Sequence, residues 1–149
     1  MNSNFYKKFH DIWRAHGVED LYFDSWIYNY KLATDSQKLA VDRVKLCVGT
    51  TKPIVMLGTV GGGKTHIAQA IVKHTLMKRE TAFYYTLGRF FRDYRATLSD
   101  PEKSEHAFFD KAYKAKVLVL EIPEIDLIDS TTIPAIVPIP SASIFMIIS

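Results

Sequence analysis

An α/β fold built on a parallel sheet is what this sequence predicts. Three observations carry that expectation. Short apolar runs recur at residues 54–57, 82–86 and 117–120. Helix-length amphipathic segments separate them, and a glycine-rich turn follows the first run directly. Strands that alternate with helices assemble into a parallel sheet through right-handed crossovers. A strand covered on both faces reads as a continuous apolar run.

The whole chain sets the bounds. A length of 149 residues suits one domain, and 48% apolar residues can fill one core. A net charge of +3 is too small to establish a nucleic-acid partner. Cys47 is the sole cysteine, so no internal disulfide can form, which fits a reducing cytoplasm. The first ten residues are polar and aromatic, without the charged start and apolar run of a secretion signal. Pro134, Pro138 and Pro140 interrupt the C-terminal apolar region, whereas a membrane-spanning helix needs roughly 20 mostly apolar residues in a row. The expected setting is cytoplasmic, with no membrane partner.

Taken in order, Phe5, Phe9, Ile12 and Trp13 recur at helical spacing and Gly17 follows as a stop. This predicts a short amphipathic helix, with docking on its own domain preferred over docking on a partner. Residues 21–30 are aromatic-rich and irregular. Asp35 reads as an N-cap for a helix over 36–48, with Leu39, Val44, Cys47 and Val48 inward and Gly49 ending it. Pro53 opens a strand at 54–57, expected to be buried on both faces. A helix over 64–78 carries Ile67, Ala68, Ile71, Val72 and Leu76 on one stripe. A strand at 82–86 precedes a helix over 89–98 with Phe90, Phe91, Tyr94 and Leu98 inward. After the break at Asp100-Pro101, residues 102–114 read as a helix and 117–120 as a third buried strand. Residues 130–149 contain no charged residue. Their prolines predict an irregular connection before a candidate fourth strand at 143–148. The chain therefore divides into an N-terminal helical extension (1–20), an α/β core (21–129) and an uncharged tail (130–149).

The turn after the first strand reads Gly58-Thr59-Val60-Gly61-Gly62-Gly63-Lys64-Thr65 and matches G-x-x-x-x-G-K-[ST] at every fixed position. Glycines let the backbone curl around an anion and point N–H groups inward. The following helix adds its positive N-terminal end. Lys64 can bridge β and γ phosphates, and the Thr65 hydroxyl can ligate Mg²⁺. The position of the turn, between a buried strand and a helix, is the context that separates a phosphate loop from a mere glycine-rich turn. A three-layer P-loop NTPase sandwich, with ATP and Mg²⁺ as cofactors, follows.

Such sites also place a carboxylate at the end of a neighbouring strand. Glu121, after Val117-Leu118-Val119-Leu120, is the candidate, able to reach the metal through water and the one candidate catalytic residue. The next residue is Ile122, which cannot accept a proton, and Pro123 follows. Glu124 and Asp126 read as solvated turn residues. Binding is thus better supported than hydrolysis.

The stretch from Gly58 through Lys64-Thr65-His66-Ile67-Ala68-Gln69-Ala70-Ile71 resembles the nucleotide site of DnaC/IstB-type AAA+ ATPases, which load replicative helicases or assist transposition. The initiator DnaA shares the Lys-Thr-His extension. Leu21-Tyr22-Phe23-Asp24-Ser25-Trp26-Ile27-Tyr28-Asn29 with Gln37 and Ala40 resembles the entry to the loader core, and Thr86-Leu87-Gly88-Arg89-Phe90-Phe91 resembles the second strand and its helix. The likeness implies an AAA+ core over residues 21–121. It also implies His66 beside the nucleotide, a helicase or transposase as partner, and single-stranded DNA as ligand. Family members carry a second acid, a sensor strand and a late arginine finger. Here Ile122 stands at the acid position and no arginine follows Arg95. By that likeness the core is incomplete at its C-terminus, as in a truncated or degenerate copy, and an oligomer would need complete subunits.

Arg89, Arg92 and Arg95 fall at three-residue spacing beside Phe90, Phe91 and Tyr94, a combination suited to single-stranded DNA. An ordinary solvated arginine face is the preferred reading of the same spacing. The five histidines show no metal-ligand spacing. The leading expectation is an ATP-binding, loader-like core. A non-catalytic interaction module derived from such a loader is the alternative, and a small P-loop kinase the weaker one, since no arginine-rich lid follows the third strand.

Overall fold

The computed structural model describes residues 3–48, 50, 52–100, 102, 104–122 and 143–148. Along the chain, α1 (Ser3–Ala15) leads through two single-turn 3₁₀ helices, Asp20–Tyr22 and Ile27–Asn29, to α2 (Asp35–Cys47). Then come β1 (Ile54–Leu57), α3 (Lys64–Met77), β2 (Ala82–Thr86), α4 (Leu87–Leu98), α5 (Glu105–Lys114), β3 (Val117–Ile122) and β4 (Ser143–Ile148). The described strands form one parallel sheet in the order β1-β4-β3-β2. The irregular connection expected before β4, along with Glu124 and Asp126, lies outside the described residues.

Three layers follow from the alternation of side chains along β3. Val117 and Val119 join Ile67, Ile71 and Val72 of α3, Val41 and Val44 of α2 and Trp13 of α1 in one core. Leu118, Leu120 and Ile122 point the other way, into a second core with Leu87 and Phe90 of α4 and Ala112 of α5. The expected α/β sandwich with its parallel sheet is therefore present, and α1 docks on its own domain through the fully buried Trp13.

Several details depart from expectation. Thr34, not Asp35, caps α2: its hydroxyl accepts the Gln37 N–H at 3.2 Å and the Gln37 side chain accepts the Thr34 N–H at 3.0 Å. The buried stripe is Val41 and Val44, while Leu39 is 59% exposed. Helix α4 starts at Leu87, with Thr86 as cap, so Leu87 and Phe90 face inward and Leu98 is 60% exposed. Helix α5 starts at Glu105 behind a Ser104 cap. Strand β1 is not covered on both faces. Because α4 and α5 pack over β2 and β3, Val55 and Leu57 stay exposed and Met56 alone is buried.

Helix α3 is enclosed nearly all round: Gln69, Lys73 and Thr75 are buried beside its apolar residues. Lys73 Nζ donates to the carbonyls of Tyr22 at 2.5 Å and Phe23 at 2.7 Å and lies 4.0 Å from the ring centroid of Trp26. Burial lowers its pKa from 10.5 to about 8, an effect partly offset by the charge of Asp24. The amine is thus harder to protonate in the folded chain than in the unfolded one. Its contribution to stability is complete above the unfolded value and is lost as pH falls through about 8. Between pH 7.5 and 9.5 the stability of the parent relative to Lys73→Met should rise by about 2 kcal/mol. Urea unfolding of both proteins at the two pH values measures it, and a constant difference would show that burial does not shift this amine.

Candidate nucleotide site

The glycine-rich loop links β1 to α3. Gly61 and Gly63 both hold φ near +83°, the left-handed region that glycine enters without penalty, and Gly63 caps α3. The turn closes through the Gly62 N–H to the Thr59 carbonyl at 3.2 Å, and α3 begins with the Ile67 N–H bonding the Gly63 carbonyl at 3.1 Å. Lys64 Nζ folds back over the loop and donates to the carbonyls of Gly58 at 2.6 Å and Thr59 at 2.7 Å. Its charge is thereby held over the N-terminal end of α3, where the helix dipole is positive and anions are favoured.

Across the loop, Glu121 meets Thr65. The Thr65 hydroxyl donates to Glu121 Oε1 at 2.8 Å, which leaves lone pairs on the hydroxyl oxygen for a cation. The Tyr84 hydroxyl donates to Glu121 Oε2. Glu121, Thr65, Lys64, His66, Gly61 and Tyr22 line one cleft of about 340 Å³. One hydroxyl and one carboxylate suit Mg²⁺, which is held by few protein oxygens together with waters and substrate phosphates. Among the described residues no cluster of three or more His, Cys, Asp or Glu could hold a metal by itself. The expected residues Gly58, Thr59, Val60, Gly61, Gly62, Gly63, Lys64, Thr65 and Glu121 are therefore brought together around one loop.

His66 lines the same cleft, but its Nε2 lies 2.8 Å from the Trp26 carbonyl. A carbonyl only accepts, so Nε2 carries the proton there. Ile122 is 1% exposed and sits on the opposite face of the sheet from the loop, where it fills the second core. The arginines of α4 also lie on that opposite layer. Arg89 and Arg92 both approach Asp93 at 3.8 Å, and Arg95 is exposed.

Two aromatic residues of the site, Tyr84 and Tyr30, carry no functional signal in the sequence. Tyr84 was simply part of a strand. Tyr22 lines the cleft, and burial, followed by the charges of Glu19 and Glu121, raises its pKa. Tyr30 donates to the Gly62 carbonyl at 2.5 Å, and its ring packs against Gly63 so tightly that a Cβ there would lie 2.2 Å from the ring. A second cleft, about 590 Å³, borders the other side of the loop at Gly58, Thr59 and Gly62, with Tyr30, Thr34 and Gln37 on its wall.

No protein-family model matches the chain. In sequence it is 35% identical over 69 residues to the chromosomal replication initiator protein DnaA of Aliarcobacter butzleri, a match covering 46% of this chain and 15% of that protein. In structure it is similar to a replication initiator DnaA bound to AMPPCP and single-stranded DNA, with a TM-score of 0.70 and 18% identity over 89% of this chain and 43% of that one. It is likewise similar to the DnaC helicase loader, with a TM-score of 0.66 and 20% identity over 88% of this chain and 80% of that one. The fold is thus the α/β P-loop core seen in these replication initiator and helicase loader structures, as the sequence leads one to expect. The chain spans about a seventh of the curated relative and less than half of the DnaA structure.

The contact between Gly63 and Tyr30 gives a direct test of the loop. Gly63→Ala adds left-handed strain of about 1–2 kcal/mol and a collision with the ring. In a Tyr30→Ala background the collision disappears and the strain remains. The substitution should therefore cost about 1–2 kcal/mol less there than in the parent, measured by urea unfolding. Equal costs in both backgrounds would show that Tyr30 does not press on the loop.

Proposed function

We propose that this chain is the ATP-binding core of a DnaC/IstB-like helicase loader that acts in DNA replication or transposition. The observation that carries the reading is the junction of the two halves of the site: the loop at the start of α3 and the strand-end carboxylate meet through the Thr65–Glu121 hydrogen bond of 2.8 Å. A bare glycine-rich turn gives no reason for a carboxylate to be built opposite its threonine.

In this reading the N–H groups of Gly61–Gly63 and of the first turn of α3 bind the phosphates, and Lys64 adds the charge that bridges them. Mg²⁺, when bound, neutralises phosphate charge. Thr65 would offer its oxygen to that ion, with Glu121 orienting the Thr65 hydroxyl and adding negative charge beside it. The 590 Å³ cleft beside Gly58 and Thr59 takes the base and ribose. The AMPPCP and single-stranded DNA of the DnaA neighbour support nucleotide as ligand and DNA as partner, and the DnaC neighbour supports a replicative helicase as partner. Arg89, Arg92 and Arg95 on α4 are the proposed DNA contacts. The same reading carries a cytoplasmic setting; among the described residues no helix is long and apolar enough to cross a membrane.

Calorimetric titration with ATP and Mg²⁺ tests the core of this. The parent should bind, and Lys64→Ala should bind at least about tenfold more weakly, the loss expected for a charge-assisted contact of about 1.5–3 kcal/mol. Equal affinity would sink the reading.

Ile122 favours a second reading, a non-catalytic nucleotide-dependent interaction module, because its position on the far face leaves the site without a second acid among the described residues. A phosphate-release assay with single-stranded DNA and a replicative helicase separates the two. Release at background level is the outcome expected of the module. Turnover well above background argues for a working ATPase.

A further inference from the structure

We infer that Tyr84 is a positioning residue of the nucleotide–metal site, acting through Glu121; the inference rests on the nucleotide reading above. Glutamate at a strand end has a long, rotatable side chain. One hydrogen bond, from Thr65 to Oε1, leaves the carboxylate free to pivot about that oxygen. The Tyr84 hydroxyl occupies the other oxygen, Oε2, and removes that freedom.

The geometry makes Tyr84 suited to the role. In the β2–β3 register Tyr84 pairs with Val119, so Glu121 is its diagonal neighbour on the same face of the sheet. Diagonal neighbours are typically about 7–8 Å apart at Cα, a gap that a long side chain such as tyrosine spans. The ring is 2% exposed and belongs to the core around α3, so it cannot swing away. Its backbone is fixed as well. The Tyr84 N–H donates to the His16 carbonyl at 2.9 Å, and Gly17 packs so closely that a Cβ there would lie 2.0 Å from the Tyr84 carbonyl oxygen. The turn after α1 thus anchors β2, β2 anchors the tyrosine, and the tyrosine sets the carboxylate that faces Thr65.

A core tyrosine with an incidental hydrogen bond would affect stability alone. A positioning residue affects what Glu121 does for the metal. The experiment compares the parent, Tyr84→Phe, Glu121→Gln and the double variant. ATP affinity is measured calorimetrically once in excess Mg²⁺ and once in EDTA, after thermal melts confirm that each variant folds. Tyr84→Phe keeps the ring and deletes the hydroxyl alone. It should weaken binding roughly 2- to 12-fold in Mg²⁺, the net range for one hydrogen bond acting through Glu121, and leave the EDTA affinity unchanged. In the Glu121→Gln background Tyr84→Phe should add no further Mg²⁺-dependent loss. An equal loss in both buffers, no loss in Mg²⁺, or a loss that persists in the glutamine background overturns the inference while leaving the nucleotide reading intact. A parent that binds ATP in neither buffer overturns the nucleotide reading, and this inference with it.

Discussion

A polar stripe on helix α3 holds this structure in register. His66, Gln69 and Lys73 lie three and four residues apart, on one side of a helix that is otherwise surrounded by apolar groups. Each faces the irregular segment that runs from Glu19 to Tyr30. That segment has little secondary structure of its own to satisfy its backbone, and a buried unpaired carbonyl or amide costs about 1–3 kcal/mol. Gln69 accepts the Glu19 N–H at 2.9 Å, Lys73 serves the carbonyls of Tyr22 and Phe23, and His66 meets the carbonyl of Trp26. Four such contacts rival the whole margin of about 5–15 kcal/mol by which a domain of this kind is stable. With its backbone satisfied, the segment can bury Phe23 and pack Trp26 against Trp13 and the Lys73 amine. Tyr30 then arrives over the glycine loop as a consequence of contacts made up to about 15 Å of helix away, the ten residues from Gly63 to Lys73 at a rise of 1.5 Å each.

The second organising constraint is the two-residue period of β3. A parallel strand between two helical layers must sort its side chains by parity. Odd positions face α3 and even positions face α4 and α5. Glu121 is the odd residue that reaches the rim beside the loop, and Ile122 is the even residue that fills the far core. The same two-residue period on β2 brings Tyr84 to the carboxylate and sends Phe83 and Tyr85 to the other layer. The chemistry available at the loop is therefore decided by register as much as by residue type.

These constraints explain what could be read from the sequence. The loop was legible because its requirements are local: left-handed glycines, a lysine and a threonine at fixed spacing, between a strand and a helix. Glu121 was legible from its place after an apolar run. The aromatic contributions were not. Tyr30 and Tyr84 act through partners 32 and 37 residues away, and nothing in their immediate neighbours marks them. Lys73 sits inside a helix whose pattern reads as one apolar stripe, yet the helix is covered on nearly every side and the lysine finds carbonyls there. Leu39 and Val55 were expected inside because their local runs are apolar. Which side of α2 and β1 is covered depends on where other layers lie, and α4 and α5 lie over β2 and β3.

The arrangement of donors and acceptors at the cleft bears on what the site is built to do. Holding a phosphate calls for N–H donors and a cation, and the loop, the first turn of α3 and Lys64 provide them. Activating a water calls for a proton acceptor that is directed into the cleft. Glu121 has one oxygen bonded to Thr65 and the other to Tyr84, so its orientation answers to two protein hydroxyls. His66 Nε2 is directed at the Trp26 carbonyl, and Ile122 has neither the chemistry nor the direction. In the proposed reading, the described residues therefore favour a site that grips a nucleotide and couples it, through Thr65, Glu121 and Tyr84, to β2 and the turn after α1. Hydrolysis would draw on a group beyond these residues. The path to the N-terminal turn runs through the hydrogen bond from the Tyr84 N–H to the His16 carbonyl.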